Sequence, residues 1–198
     1  MSDGPRASAR AIQRYDAETA ECLLFTGKAG LLASAAHDLK LLVTRFEVDL
    51  DELAGGIGAT GRFDAASIRV GCARRDGRDA PGVLAAKDRA EIERTVAREV
   101  LQAHRFPFIE FKSTSIARHP PGGYRIEGVL TLRGREGPLA MLARQQGAVA
   151  LIDGSIDQPA FGIVPFSAML GALKVKPGIG FRLVLPWPAQ AAVRAANP

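Results

Sequence analysis

Residues 122–134, GGYRIEGVLTLRG, decide the fold. Tyr124, Ile126, Leu130 and Leu132 fall on even positions, whereas Arg125, Glu127, Thr131 and Arg133 fall on odd ones. A period of two belongs to an extended chain with one buried face and one wet face. Glycines at both ends mark turns. The segment reads as a strand of an antiparallel sheet, with Ile126, Leu130 and Leu132 turned inward.

The same pattern recurs outward from this strand. FPFIEFKSTSIA, residues 106–117, sets Ile109 and Phe111 opposite Glu110 and Lys112. PLAMLARQQGAVALIDGSID, residues 138–157, reads as a hairpin turning near Gln146–Gly147. GFRLVLPWP, residues 180–188, places Phe181, Leu183, Leu185 and Trp187 on one face. In HDLKLLVTRFEVDL, residues 37–50, the apolar residues Leu39, Leu41 and Val43 switch parity to Phe46, Val48 and Leu50. A parity switch inside one strand predicts a bulge or sharp bend near Thr44–Arg45. AECLLFTGKA, residues 20–29, is a further strand; another is expected at about 60–71, followed by a turn-rich loop, ARRDGRDAPG.

One helix interrupts the strands, over about 88–103. Ile92, Val96 and Val100 repeat every four residues, with Leu101 beside them. Asp88 and Glu91 have capping-box spacing. Arg89, Glu93 and Arg94 are expected on the solvent face. Many alternating strands with a single helix predict an all-β chain, a closed antiparallel barrel. The alternation of strand and helix that builds a parallel sheet is absent.

DELAGGIGATGRFDAASI, residues 51–68, contains Gly56, Gly58 and Gly61 in dinucleotide-fingerprint spacing. That fingerprint requires a helix straight after the glycines, whose N-terminus holds the pyrophosphate. RFDAASIRVG has no helical stripe, so the glycines are assigned to a strand–strand connection and no cofactor is expected.

Composition sets further bounds. The chain has 198 residues, 47% hydrophobic and 24% charged, enough to bury one core. Cys22 and Cys72 lack metal-ligand spacing and read as reduced thiols. Residues 1–14 and 189–198 read as loosely ordered tails around one domain, 15–188. The N-terminus has no apolar core of a secretory signal, so the expected location is the cytoplasm. A net charge of +5 permits weak contact with an anionic membrane surface and leaves a homodimer open. Basic residues are scattered and only 6% of residues are aromatic, which argues against a nucleic-acid partner.

The chain shows no nucleophile elbow and no phosphate loop. The 3 histidines, His37, His104 and His119, lack zinc-ligand spacing, so neither a catalytic residue nor a metal is expected. The alternative is a hydrolase using His37 and Asp38, or Asp153 and Asp157, since paired carboxylates serve acid–base chemistry. A solidly packed barrel acting as an interaction module is the other alternative.

The run PFIEFKSTSIARHPPGGYRIEGVLTLRG, residues 107–134, resembles the YceI-like family. It carries Pro107, Ile109, Phe111 and Ser113 at alternate positions, then Gly128, Leu130, Thr131 and Gly134. AFGI at 160–163 and AAHDLKLLVTRFEVDL at 35–50 are similar to two further family segments. The resemblance covers residues 20 to 187. It implies a lipocalin-like barrel of about eight strands, whose elongated apolar cavity holds a polyisoprenoid, an isoprenoid quinone or a similar apolar lipid. The family often carries Arg and Asp just before FGI, where this chain has Gln158 and Ala160. The charged helix after Asp88 replaces another family segment. Strand parity and the resemblance together nominate Phe46, Val48, Ile109, Phe111, Ile126, Leu130, Leu132, Phe181 and Leu183 as ligand-binding residues. Leu185 faces the same way, and Phe161 and Phe166 are expected at the rim of a tunnel closed at one end.

Overall fold

The computed structural model describes residues 10–29, 37–53, 56–168 and 173–187. Fifteen strands follow in chain order. They are β1 Arg10–Asp16, β2 Glu21–Phe25, β3 Lys28–Ala29, β4 Asp38–Val43, β5 Phe46–Leu53, β6 Gly56–Asp64, β7 Ile68–Arg75 and β8 Arg78–Ala80. After the helical segment come β9 Phe108–Arg118, β10 Tyr124–Leu132, β11 Arg135–Gln146, β12 Val149–Asp157, β13 Ser167–Ala168, β14 Leu173–Val175 and β15 Gly178–Pro186.

Every strand pairing is antiparallel. Twelve strands form one sheet in the order β1-β5-β6-β9-β10-β11-β12-β15-β2-β4-β7-β8, and β13, β14 and β3 form a small second sheet. The sheet is therefore not the closed eight-stranded barrel expected from the sequence. Its edges, β1 and β8, have no ladder between them. It curls instead, so that inward residues of all the long strands share one core.

The alternation read from the sequence drives this packing. On β10, Ile126, Leu130 and Leu132 are buried, while Arg125 and Glu127 are exposed. Ile126 stands opposite Met141 and Leu130 opposite Phe111. Ile152 faces Leu183, which in turn faces Cys22. Each pair stacks side chains on the same face, which stabilises the ladder.

Two corners let the sheet curl. At Thr44–Arg45 the chain leaves β4, paired with β2 and β7, and enters β5, paired with β1 and β6. The expected bulge is thus a full break between strands at opposite ends of the sheet. The expected strand 60–71 breaks likewise, at the 3-10 turn Ala65–Ser67. Asp64 caps that turn by accepting from the Ala66 amide at 2.8 Å. The corners bind each other: the Thr44 amide donates to the Ser67 carbonyl at 3.2 Å and the Asp64 amide to the Arg45 carbonyl at 3.0 Å. The fully buried Ser67 hydroxyl accepts from the Arg45 amide at 3.1 Å and donates to the Asp64 carbonyl at 2.8 Å.

Other expectations shift. Gly56, Gly58 and Gly61 lie inside β6, paired with β5 and, at Gly61, β9, with no helix beside them. The stretch read as a loop after residue 72 is the β7–β8 hairpin. Residues 10–14, read as tail, belong to β1; residues 1–9 and 188–198 lie outside the described residues. The helix α1 spans Ala86–Thr95 and ends in a wider π-helical turn, Val96–Val100. Its N-cap is Ala85, so Asp88 and Glu91 form no capping box. Glu93 faces the sheet: its carboxylate accepts from the Val70 amide at 2.8 Å and stands 3.8 Å from Arg69. Among the described residues, no helix is long and apolar enough to cross a membrane.

Candidate functional site: an apolar cavity

Inside the curled sheet lies a cavity of about 490 Å³. Its wall takes Ile126, Leu130 and Leu132 from β10, Leu139 and Met141 from β11, and Ile152 and Ile156 from β12. Phe181, Leu183 and Leu185 of β15 continue it. Cys22 and Leu24, Leu39 and Leu41, Val48 and Leu50, Ile109 and Phe111, with Phe63 and Ile68, extend the wall onto the remaining strands. Ile92, Val96 and Val100 lie along it from the helical side.

Glycine makes the room. A Cβ built on Gly128 would stand 2.5 Å from the Phe111 ring, and one on Gly154 would stand 2.4 Å from the Phe181 ring. These rings therefore lie flat over bare backbone, where a side chain would push them into the open space.

Polar groups enter the wall at Thr26 and Lys28, at His37 ahead of β4, at Thr60 of β6, at Asp88, Glu91 and Thr95 of α1, at Gln158, and at Lys174 of β14. Gln158 opens the 3-10 turn Gln158–Phe161 after β12. Backbone pairing joins the segments that carry Lys28 and Lys174: Lys28 stands opposite Val175 and Lys174 opposite Ala29, and the Val175 amide donates to the Phe166 carbonyl at 3.0 Å. Away from these groups the wall is apolar, and burial in it pushes the Cys22 thiol up to about 12.

Of the sequence-nominated residues, Val48, Ile109, Phe111, Ile126, Leu130, Leu132, Phe166, Phe181 and Leu183 line the cavity. Phe46 and Phe161 are buried but lie outside the lining. Phe46 stacks on Phe63, with centroids 5.8 Å apart, and Phe161 packs beneath Gly137. Sequence reasoning missed Leu139, Met141, Ile152 and Ile156 as wall residues, although their parity marked them. It also missed Gln158 and Lys174, for which periodicity gives no signal.

Two carboxylates of the alternative catalytic pairs, Asp153 and Asp38, are engaged by other groups. Asp153 and Asp157 have the parity opposite to Ile152 and Ile156 and face outward. Asp153 is bound by Arg182 at 2.6 Å and Arg144 at 2.9 Å, the pairing of an outer-face ion network. His37 lines the cavity, while Asp38 accepts from the Lys28 amide at 2.7 Å. No cluster of metal-ligating side chains occurs among the described residues.

The YceI-like domain model matches residues 39–179. The chain belongs to the YceI-like family. Solved structures share the fold of this YceI-like chain. Burkholderia cenocepacia BcnA is 18% identical, with a TM-score of 0.54 over 85% of this chain and 98% of that one. A polyisoprenoid binding domain from Saccharophagus degradans, implicated in plant cell wall breakdown, is 10% identical, with a TM-score of 0.50 over 84% of this chain and 91% of that one. A variant of the Campylobacter jejuni YCEI protein is 9% identical, with a TM-score of 0.51 over 76% and 86% of the two chains. No curated protein matches the sequence of this YceI-like chain.

Proposed function

We propose that this YceI-like chain binds or carries a polyisoprenoid, an isoprenoid quinone or a similar apolar lipid in its cavity. The observation that carries the reading is the space itself: about 490 Å³, ringed by inward side chains of nearly every long strand. That volume is within the range of small-molecule sites. It is also the opposite of a solidly packed interior, which leaves few voids larger than a water. The S. degradans neighbour, described as a polyisoprenoid binding domain, supports the same ligand class.

The energetics need no reaction. An apolar chain leaving water gains about 25 cal/mol per Å² of surface buried. Wall side chains such as Ile126, Leu130 and Leu183 are already turned into the cavity, so little ordering opposes entry. Proposed contacts are Val48, Ile109, Phe111, Ile126, Leu130, Leu132, Phe181 and Leu183 along the chain, with Phe166 at the rim.

Native mass spectrometry of the purified protein, followed by solvent extraction, tests this. A bound prenyl lipid, or uptake of one added in detergent, is expected. Protein that is lipid-free on purification and takes up no prenyl chain in titration would sink the reading.

A further inference from the structure

We propose that the cavity selects an apolar chain whose head carries a hydrogen-bond donor, received by the carboxamide oxygen of Gln158. The inference rests on the lipid-binding reading and specifies the head group. It favours a prenyl alcohol or an isoprenoid hydroquinone over the oxidised quinone, whose ring oxygens only accept.

Gln158 is 6% exposed, yet it forms part of the cavity wall. Its Nε2 donates to the carbonyls of Lys176 at 3.1 Å and Pro177 at 3.2 Å. These two bonds fix the orientation of the amide, because turning it over would set Oε1 against two carbonyl oxygens. The main chain of Gln158 is also committed: its amide donates to the Pro177 carbonyl at 3.0 Å, and its carbonyl accepts from the Ile163 amide at 3.1 Å. Among the described residues, none donates to Oε1. An amide acceptor in a cavity wall that no protein group serves is open to a donor brought in by a ligand.

The surrounding polar groups do not serve it. Lys176 spends its amide on the Gly27 carbonyl, and Lys174 is exposed, so its ammonium can remain in water. Asp88 and Glu91, across the wall on α1, are acceptors when ionised and add no donor. Water can serve Oε1 until an apolar chain fills the space and displaces it. A head that donates restores the bond; a head that only accepts leaves the oxygen bare, at a cost in affinity.

The probes are geranylgeraniol and its methyl ether, which share one chain and differ in the hydroxyl hydrogen. Both are titrated into delipidated full-length protein by calorimetry. The alcohol is expected to bind about tenfold more tightly. In Gln158→Met, close in size and without the amide, the ratio is expected to fall near one while the ether keeps its affinity. Equal binding of both probes by the unsubstituted protein overturns the inference and leaves the lipid reading standing. A preference that survives Gln158→Met overturns the role of Gln158. Binding of neither probe overturns the lipid reading, and the inference with it. Should Gln158→Met fail to fold, the ratio in the unsubstituted protein still decides.

Discussion

Leu130 is 3% exposed, faces the cavity from β10, and meets Phe111 across the ladder. Leu130→Gln puts an amide into that apolar wall. The cavity has room for water beside it, so the variant is expected to fold with a loss of roughly 1–3 kcal/mol and to release its lipid. Unfolding would mean that Leu130 is packing core; a folded variant that keeps its lipid would mean that the wall is misassigned. Cys22, in the same wall, gives a pH signature. Its thiol is held at about 12 against an ordinary 9.0, so the folded state binds the proton more tightly than the unfolded one. That stability is complete below pH 9 and is lost as pH rises towards 12, by up to about 1.4 kcal/mol per pH unit. Tyr15, also raised by burial, adds a loss of the same sign. Urea titrations across this window should show a shallower decline for Cys22→Ala, and identical slopes would remove Cys22 from the account. Strand parity alone identified Leu130, because an alternating strand announces which side chains share a face. It could not identify Gln158, whose importance lies in two carbonyls far along the chain that fix its amide.

At the scale of elements, the two corners decide the shape. Ser67 has no exposure, and its hydroxyl holds the Arg45 amide and the Asp64 carbonyl together. Ser67→Ala strips the Arg45 N–H of its acceptor at a site closed to water. A loss of roughly 1–3 kcal/mol follows, or about 2–4 °C in Tm for each kcal/mol, measured by thermal denaturation. An unchanged Tm would show that the corners are not needed. One corner was legible and the other was not. Val43 and Phe46 are both inward with two residues between them, and parity records that slip. The second is spread over three residues of a 3-10 turn, and its signal was only the Asp64 cap. The helix was legible as a stripe. Val96→Asp sets a carboxylate against the cavity wall and should lower Tm by several degrees; full stability would make the helix a free appendage. The inward turn of Glu93 was hidden, because a charged residue on a helix reads as solvent-facing until an unpaired strand amide, here Val70, stands opposite it.

For the whole molecule, ligand binding and stability are linked. A lipid that fills the cavity only in the folded state stabilises it by about 2.7 kcal/mol at a hundredfold excess over Kd. Differential scanning fluorimetry should then show Tm rising by about 5–10 °C with a prenyl chain, and no rise with a polar analogue of equal length. Absence of any rise would mean that the cavity stays empty under those conditions. The antiparallel architecture was legible because every long strand carries its own alternation. Sheet closure was not, since pairing partners depend on which edges meet and no single strand encodes that. The placement of β15 between β12 and β2 reaches beyond the folded state. This strand joins Leu183 to Cys22, the late chain to the early chain. During translation β2 therefore emerges long before the partner that completes it. Until then its free edge is open to wrong pairings, including with a neighbouring nascent chain. Biogenesis thus depends on shielding the edge of β2 until the last strand arrives, and a chain stopped short of residue 178 inherits that exposure permanently.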